Sequence, residues 1–224
     1  MDLNNYSTFR VAASDLNGQM RGKVVPSSYA TKLSSGAVRL PLSALNVDLW
    51  GFDIEDSPLV FETGDADGML FPTDRAAMPT PWLAKPSAIV PMVMSNEDGT
   101  PFAGDPRHAL MRVLAQYEAK GWQVVAATEM EFTLVDDSGD TPTAPKDPRN
   151  GLPLDGPEVL SVSQMDAFAP FFDDLYDGAE AMGIPAETST SEAGVGQFEV
   201  TMRHGNALEA ADNAWLFKTL VRGL

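Results

Sequence analysis

The chain has 224 residues, 44% hydrophobic and 21% charged, a globular composition with enough length to bury a core in one large or two small domains. Its 32 Asp and Glu outnumber 15 Lys and Arg for a net charge of −17, and no basic cluster stands out, which excludes nucleic acid as a natural partner. With no cysteine it has no disulfides, zinc thiolates or thiol nucleophiles, and no apolar run approaches the ~20 residues that span a bilayer.

The opening residues 1–18 lack the basic segment and apolar run of a secretory signal, so a soluble, cytoplasmic protein without a membrane partner is expected. Residues 8–90 read as mostly β. Asn17-Gly18, which tolerates positive φ at both central turn positions, lies between apolar runs at 9–13 and 22–26 and predicts a hairpin. Residues 50–72, rich in Asp, Gly and Pro, read as a long loop and one strand, and 87–94 as another strand. A boundary is placed near 99–105, giving domains 1–102 and 103–224.

Beyond it helices and strands alternate. Asp105 is suited to cap a helix with Pro106 at its first position and Gly121 after its end, and Leu110, Val113, Leu114 and Tyr117 predict one buried stripe. Residues 122–135 read as a strand, and 136–159 as an irregular segment because of its five prolines. A helix over 163–182 carries Phe168, Phe171, Phe172 and Leu175 as core. A strand pair over 184–202 and a helix from Asn206, with an apolar face at Leu208, Ala211, Trp215 and Leu220, follow.

Glutamates dominate the candidate site. Glu129 and Glu131 stand at i and i+2, so in a strand both carboxylates project from one face ~7 Å apart. Glu192 and Glu199 flank Gly194 and Gly196, where a hairpin would bring both to one end of neighbouring strands. Taken alone, the first pair reads more readily as an exposed acidic strand face, and the second as a plain glycine hairpin with two surface acids. A bound divalent cation would turn their mutual repulsion into ligation, because hard Mg²⁺ or Mn²⁺ prefers oxygen donors.

Several stretches in order resemble the N-terminal half of a glutamine synthetase family ligase: residues 15–23 (Asp-Leu-Asn-Gly-Gln-Met-Arg-Gly-Lys), 64–68 (Gly-Asp-Ala-Asp-Gly), 96–102, 105–107, 128–132 (Thr-Glu-Met-Glu-Phe) and 192–199, ending Gly-Gln-Phe-Glu. The sequence at 50–53 and at 64–68 is most similar to the γ-glutamyl-amine or polyamine synthetase-like branch. The resemblance implies an α+β chain, with an N-terminal β-grasp domain and the first part of an incomplete catalytic barrel. It also implies ATP-dependent γ-phosphorylation of glutamate, then attack by ammonia or an amine, in a cytoplasmic homo-oligomer of nitrogen metabolism.

By the same resemblance Glu131, Glu192 and Glu199 match ligands of one Mg²⁺ or Mn²⁺, and Glu129 a ligand of a second. Glu187 matches a position on the ATP side. Asp53 matches the acid that binds and deprotonates ammonium, delivered from a neighbouring subunit. A family member is about twice this long. His108 and His204 lie outside the family's metal-binding histidine context and read as ordinary surface or structural residues. The chain alone is therefore expected to be inactive, and either to self-associate or to be missing a C-terminal segment. A stand-alone non-catalytic metal-binding or assembly protein with the same fold is the alternative.

Overall fold

The computed structural model describes Leu3 and residues 5–224, which divide into two compact units, Met1–Val124 and Val125–Leu224. The division falls past the helix that follows Asp105. In the first unit, β1 (Thr8–Ser14) and β2 (Met20–Pro26) form the hairpin expected around Asn17-Gly18, with Ser14 opposite Met20. Gly18 sits at φ +66°, where a side chain is disfavoured. The buried Asp15 carboxylate holds the turn from inside, accepting from the Asn17 and Gln19 amides at 2.8 Å and pairing with Arg21 Nε at 2.7 Å.

β6 (Ser87–Ser95) runs parallel to β1 and antiparallel to β4 (Asp67–Pro72), β4 pairs with β3 (Val38–Pro41), and the order is β2-β1-β6-β4-β3. The short β5 (Met78–Pro79) adds to β6 beside β4. One face of this sheet is the core: alternate residues Phe9, Val11 and Ala13 meet Val90, Met92, Met94 and Leu70, with Leu33 of a 3-10 segment and Phe102 completing it. The loop over 50–66 contains one short helix, α1 (Pro58–Phe61).

α2 (Pro106–Glu118) starts as its sequence dictates. The Asp105 carboxylate accepts from the Arg107 and His108 amides, and Pro106 occupies the first turn. Its apolar stripe is not buried, contrary to expectation. Val113 and Tyr117 are 47% and 42% exposed, and the buried residue of the helix is His108.

In the second unit the run at 122–135 is two strands rather than one. β7 (Val125–Ala126) pairs with β11 (Gly205–Asn206), whereas β8 (Glu129–Thr133) pairs with β10 (Gln197–Met202). The two stretches have different partners, so the chain breaks between them. β9 (Ala186–Ser191) completes a three-stranded antiparallel sheet of order β8-β10-β9. The expected helix over 163–182 is likewise divided, into α3 (Val162–Ala167) and α4 (Ala169–Ala181). Pro170 is the cause: it has no N–H to give to the carbonyl four residues earlier. α5 (Ala207–Gly223) is capped by Asn206, whose side chain accepts from the Leu208 amide. Its buried face runs through Ala210, Asn213, Leu216, Phe217 and Leu220, so Ala211 is exposed rather than apolar core. No helix among the described residues is long and apolar enough to cross a membrane.

The three-stranded sheet has two unlike faces. Phe132 and Phe198 point to one, where Phe198 packs against Phe168 and Phe172 at ring separations of 5.3 and 5.2 Å. Phe132 meets Phe171 and Phe217 there at 5.9 and 6.5 Å. Strand alternation sends the intervening glutamates to the other face.

Candidate metal-binding face

The alternation Glu-Met-Glu-Phe in β8 and Gln-Phe-Glu-Val-Thr-Met in β10 builds this second face. Phe198, Val200 and Met202 are buried, so Gln197, Glu199 and Thr201 turn the opposite way. The register sets Glu199 directly opposite Glu131, and Thr201 opposite Glu129. From β9, Thr190 stands opposite Glu199 and Thr188 opposite Thr201, the last two hydroxyls 3.1 Å apart.

Glu192 follows β9, at the start of the tight connection to β10. Its amide donates to the Gln197 carbonyl at 2.9 Å, and the Gln197 amide donates to the Gly194 carbonyl at 3.1 Å. Gly196 closes the turn at φ +72°, and a Cβ there would lie 2.6 Å from Pro145 Cγ. Just before Glu192, the fully buried Ser191 hydroxyl accepts from the Ser161 amide and donates to the Glu158 carbonyl, fixing the end of β9.

Glu199 is half-buried among these acids. Burial is the main cause pushing its carboxyl pKa up, and the charges of Glu129, Glu192 and Glu131 push it further. Thr201 opposes them weakly, donating to Glu199 Oε1 at 3.5 Å. The other three glutamates that the sequence singled out therefore all act electrostatically on Glu199. Among the described residues no group of three His, Asp or Glu side chains is already drawn together as a metal site. In kind the donors fit a hard divalent cation, because the set is all carboxylate and hydroxyl oxygen and its repulsion is what such a cation relieves.

Glu187 is placed differently. Thr201 pairs with Thr188 but Met202 pairs with Ala186, which leaves Glu187 as the extra residue of a bulge. It is exposed and lines a cleft of about 500 Å³ with Tyr176, Glu180 and Arg203. Asp53 belongs to the first unit, exposed in a loop shaped by Asp48, whose carboxylate accepts from the Trp50 and Phe52 amides at 2.9 and 2.8 Å. Asn17 anchors that loop by donating to the Val47 and Asp48 carbonyls. His204 is exposed and His108 is buried in α2. Sequence reasoning assigned no role to Gln197, which donates to Glu131 Oε2 at 2.7 Å. Its signal was available, since it lies two residues before Glu199 in the same strand.

Similarity to known proteins bears on the family and the fold. The family model described as "Glutamine synthetase, catalytic domain" matches residues 103–224. The chain is 36% identical over 222 residues to gamma-glutamylputrescine synthetase PuuA of Escherichia coli (strain K12), covering 95% of this chain and 46% of that protein. It is 26% identical to a glutamate–isopropylamine ligase of Pseudomonas sp, covering 99% of this chain and 49% of that one. The crystal structure of a novel glutamine synthase homolog superposes with a TM-score of 0.79 at 23% identity, over 99% of this chain and 49% of the other. A GmaS/ADP complex gives a TM-score of 0.78, also at 23% identity, over 97% of this chain and 46% of the other. The chain thus spans about half the length of the relatives it matches. Its mixed α/β architecture is the glutamine synthetase fold, and the chain belongs to the glutamine synthetase family.

Proposed function

We propose that this chain carries the first half of an ATP-dependent ligase that joins the γ-carboxylate of glutamate to an amine or ammonia through a γ-glutamyl phosphate. The observation that carries the reading is the pairing of Glu131 with Glu199 across β8 and β10, where burial and then the charges of Glu129 and Glu192 push the Glu199 carboxyl up. Support for an amine rather than ammonia comes from relatives named for putrescine and isopropylamine. On this reading residues 1–102 form a β-grasp domain and 103–224 open an incomplete barrel. The whole enzyme is a cytoplasmic homo-oligomer.

Glu131, Glu192 and Glu199 would hold one Mg²⁺ or Mn²⁺, and Glu129 a second. When bound, such ions supply charge neutralisation for the nucleotide phosphates and the transferred phosphoryl group. The chain's own part is to fix that negative face. β8 and β10 set the carboxylate spacing, Ser191 pins Glu192, and the aromatic layer behind the sheet keeps its backbone in place. Glu187 faces the nucleotide side. Asp53 supplies the acid that receives the proton of the incoming ammonium or amine.

Mn²⁺ titration tests the face: Glu131→Gln weakens binding, and unchanged binding rejects the ligand set. γ-Glutamyl hydroxamate formation with ATP and Mn²⁺ tests the rest. The 224-residue chain alone is expected to bind Mn²⁺ without turnover, and clear turnover overturns that division of labour.

A further inference from the structure

One carboxylate of the acidic face is strapped to the hairpin tip by a neutral side chain. The Gln197 amide nitrogen donates to Glu131 Oε2 at 2.7 Å, while its amide oxygen accepts from the Gly194 amide at 2.8 Å. One side chain thus bridges β8 and the β9–β10 turn. Gly194 has no left-handed requirement; it is small for a different reason. A Cβ at that position would stand 2.7 Å from Gln197 Oε1 and 3.1 Å from Gln197 Cβ. The turn leaves room for the glutamine to fold back over it.

We propose that Gln197 is a positioning residue, acting through Glu131 to hold the metal face in register with the Glu192–Glu199 hairpin. The proposal rests on the metal-face reading above. A lysine at this position would also donate to Glu131, but its charge would compete with a bound cation. An acid would add a fifth repelling charge. The amide offers a donor without charge together with an acceptor for the Gly194 amide, and it leaves the second oxygen of Glu131 free to ligate. A carboxylate already held in orientation loses less freedom on binding, which tightens the complex. Partners that orient metal ligands in this way change metal affinity by about 10–100-fold when removed.

The test is Mn²⁺ affinity of the full chain, read by electron paramagnetic resonance on folded protein, in a cycle of Gln197→Met and Glu131→Gln. Gln197→Met is expected to weaken binding about tenfold in the wild-type background and to add nothing once Glu131→Gln is present. Gly194→Ala, which displaces the amide, weakens binding in the same sense. Independently of any metal, hydrogen exchange at the Gly194 amide is expected to quicken in Gln197→Met. If that variant does not fold, Gln197→Asn replaces it, being one methylene too short to span both partners. Affinity within about twofold of wild type, while Glu131→Gln still weakens binding, overturns the strap and leaves the metal face standing. Equal weakening by Gln197→Met in both backgrounds also overturns it, because the residue then acts through the fold rather than through Glu131. No effect of Glu131→Gln itself rejects both readings.

Discussion

Without a cation the acidic face is a liability, so Glu199→Gln should stabilise the metal-free protein. Glu199 faces Glu131 directly across the strands and also feels Glu129 and Glu192. A like-charge pair directly opposed costs up to about 1 kcal/mol, and two further charges at longer range add less. Relief should therefore total about 1–2 kcal/mol. For a cooperative unit of about 100 residues, here Val125–Leu224, that is on the order of 5–10 °C in melting temperature. Glutamine keeps the size of the side chain and the acceptor for Thr201, so packing is unaltered. The pH dependence has a definite sign. The Glu199 carboxyl is raised, so below the ordinary glutamate range near pH 4 both states are protonated and the substitution changes little. As pH rises above that range the unfolded wild type ionises first, so the folded wild type loses stability until pH passes the raised value, and the variant pulls ahead across that window. Calorimetry in EDTA at low salt, at about pH 3 and pH 7.5, reads both regimes, and high salt should shrink the gap. Mn²⁺ at 100 times the wild-type dissociation constant adds about 2.7 kcal/mol to the wild type and less to the variant, narrowing the gap between them. A variant that melts at or below wild type in EDTA at pH 7.5 refutes the reasoning.

Two further outcomes test the rest of the second unit. Phe198→Ala removes a fully buried ring packed against Phe132, Phe168 and Phe172, and should cost about 3–5 kcal/mol in urea unfolding; a loss under about 1 kcal/mol would mean the aromatic layer is not the core. Lys146, 2.6 Å from Asp136, hydrogen-bonds that carboxyl and holds it well below the usual carboxylate range. A depressed acid contributes stability above the ordinary range near pH 4 and loses it as pH falls below that range. Exchange protection of the paired Asp136 and Thr143 amides should therefore decline below about pH 4, and Lys146→Met should lower it already at pH 6. Protection unchanged in the variant would dismiss the ion pair as the clasp of this loop.

The sequence showed most clearly those elements whose signals are local. Asn17-Gly18, the Asp105-Pro106 cap and Asn206 each act on their immediate neighbours, and each forms the feature read from it. The errors came where partners are distant. Residues 122–135 have one apolar pattern but two different pairing strands, and no local signal marks the break. Pro170 was visible, yet the helical spacing around it concealed the divide between α3 and α4. The α2 stripe is helical by period, but period does not say whether anything covers it. For the site, i and i+2 spacing put Glu129 and Glu131 on one face, whereas the opposition of Glu131 to Glu199 depends on register across 68 residues. Glu187 was named from the resemblance alone, and its place in a bulge arises from the pairing of β9 with β10, not from its own neighbours.

The two faces of the β8-β10-β9 sheet explain each other. Four mutually repelling carboxylates would separate if the strands could slide. A slip of one residue between β8 and β10, however, would send one strand's glutamates toward Phe168 and Phe172 and its phenylalanines into water. Burying even one unpaired carboxylate costs far more than the cross-strand repulsion it would relieve. The aromatic layer therefore locks the register, and repulsion on the other face is left only two outlets: uptake of a proton, which the raised Glu199 carboxyl already favours, or uptake of a cation. At neutral pH protons are scarce, and a divalent ion neutralises several of these charges at once. The acidic face is thus held in tension by the apolar one, and that tension is what a bound metal would release.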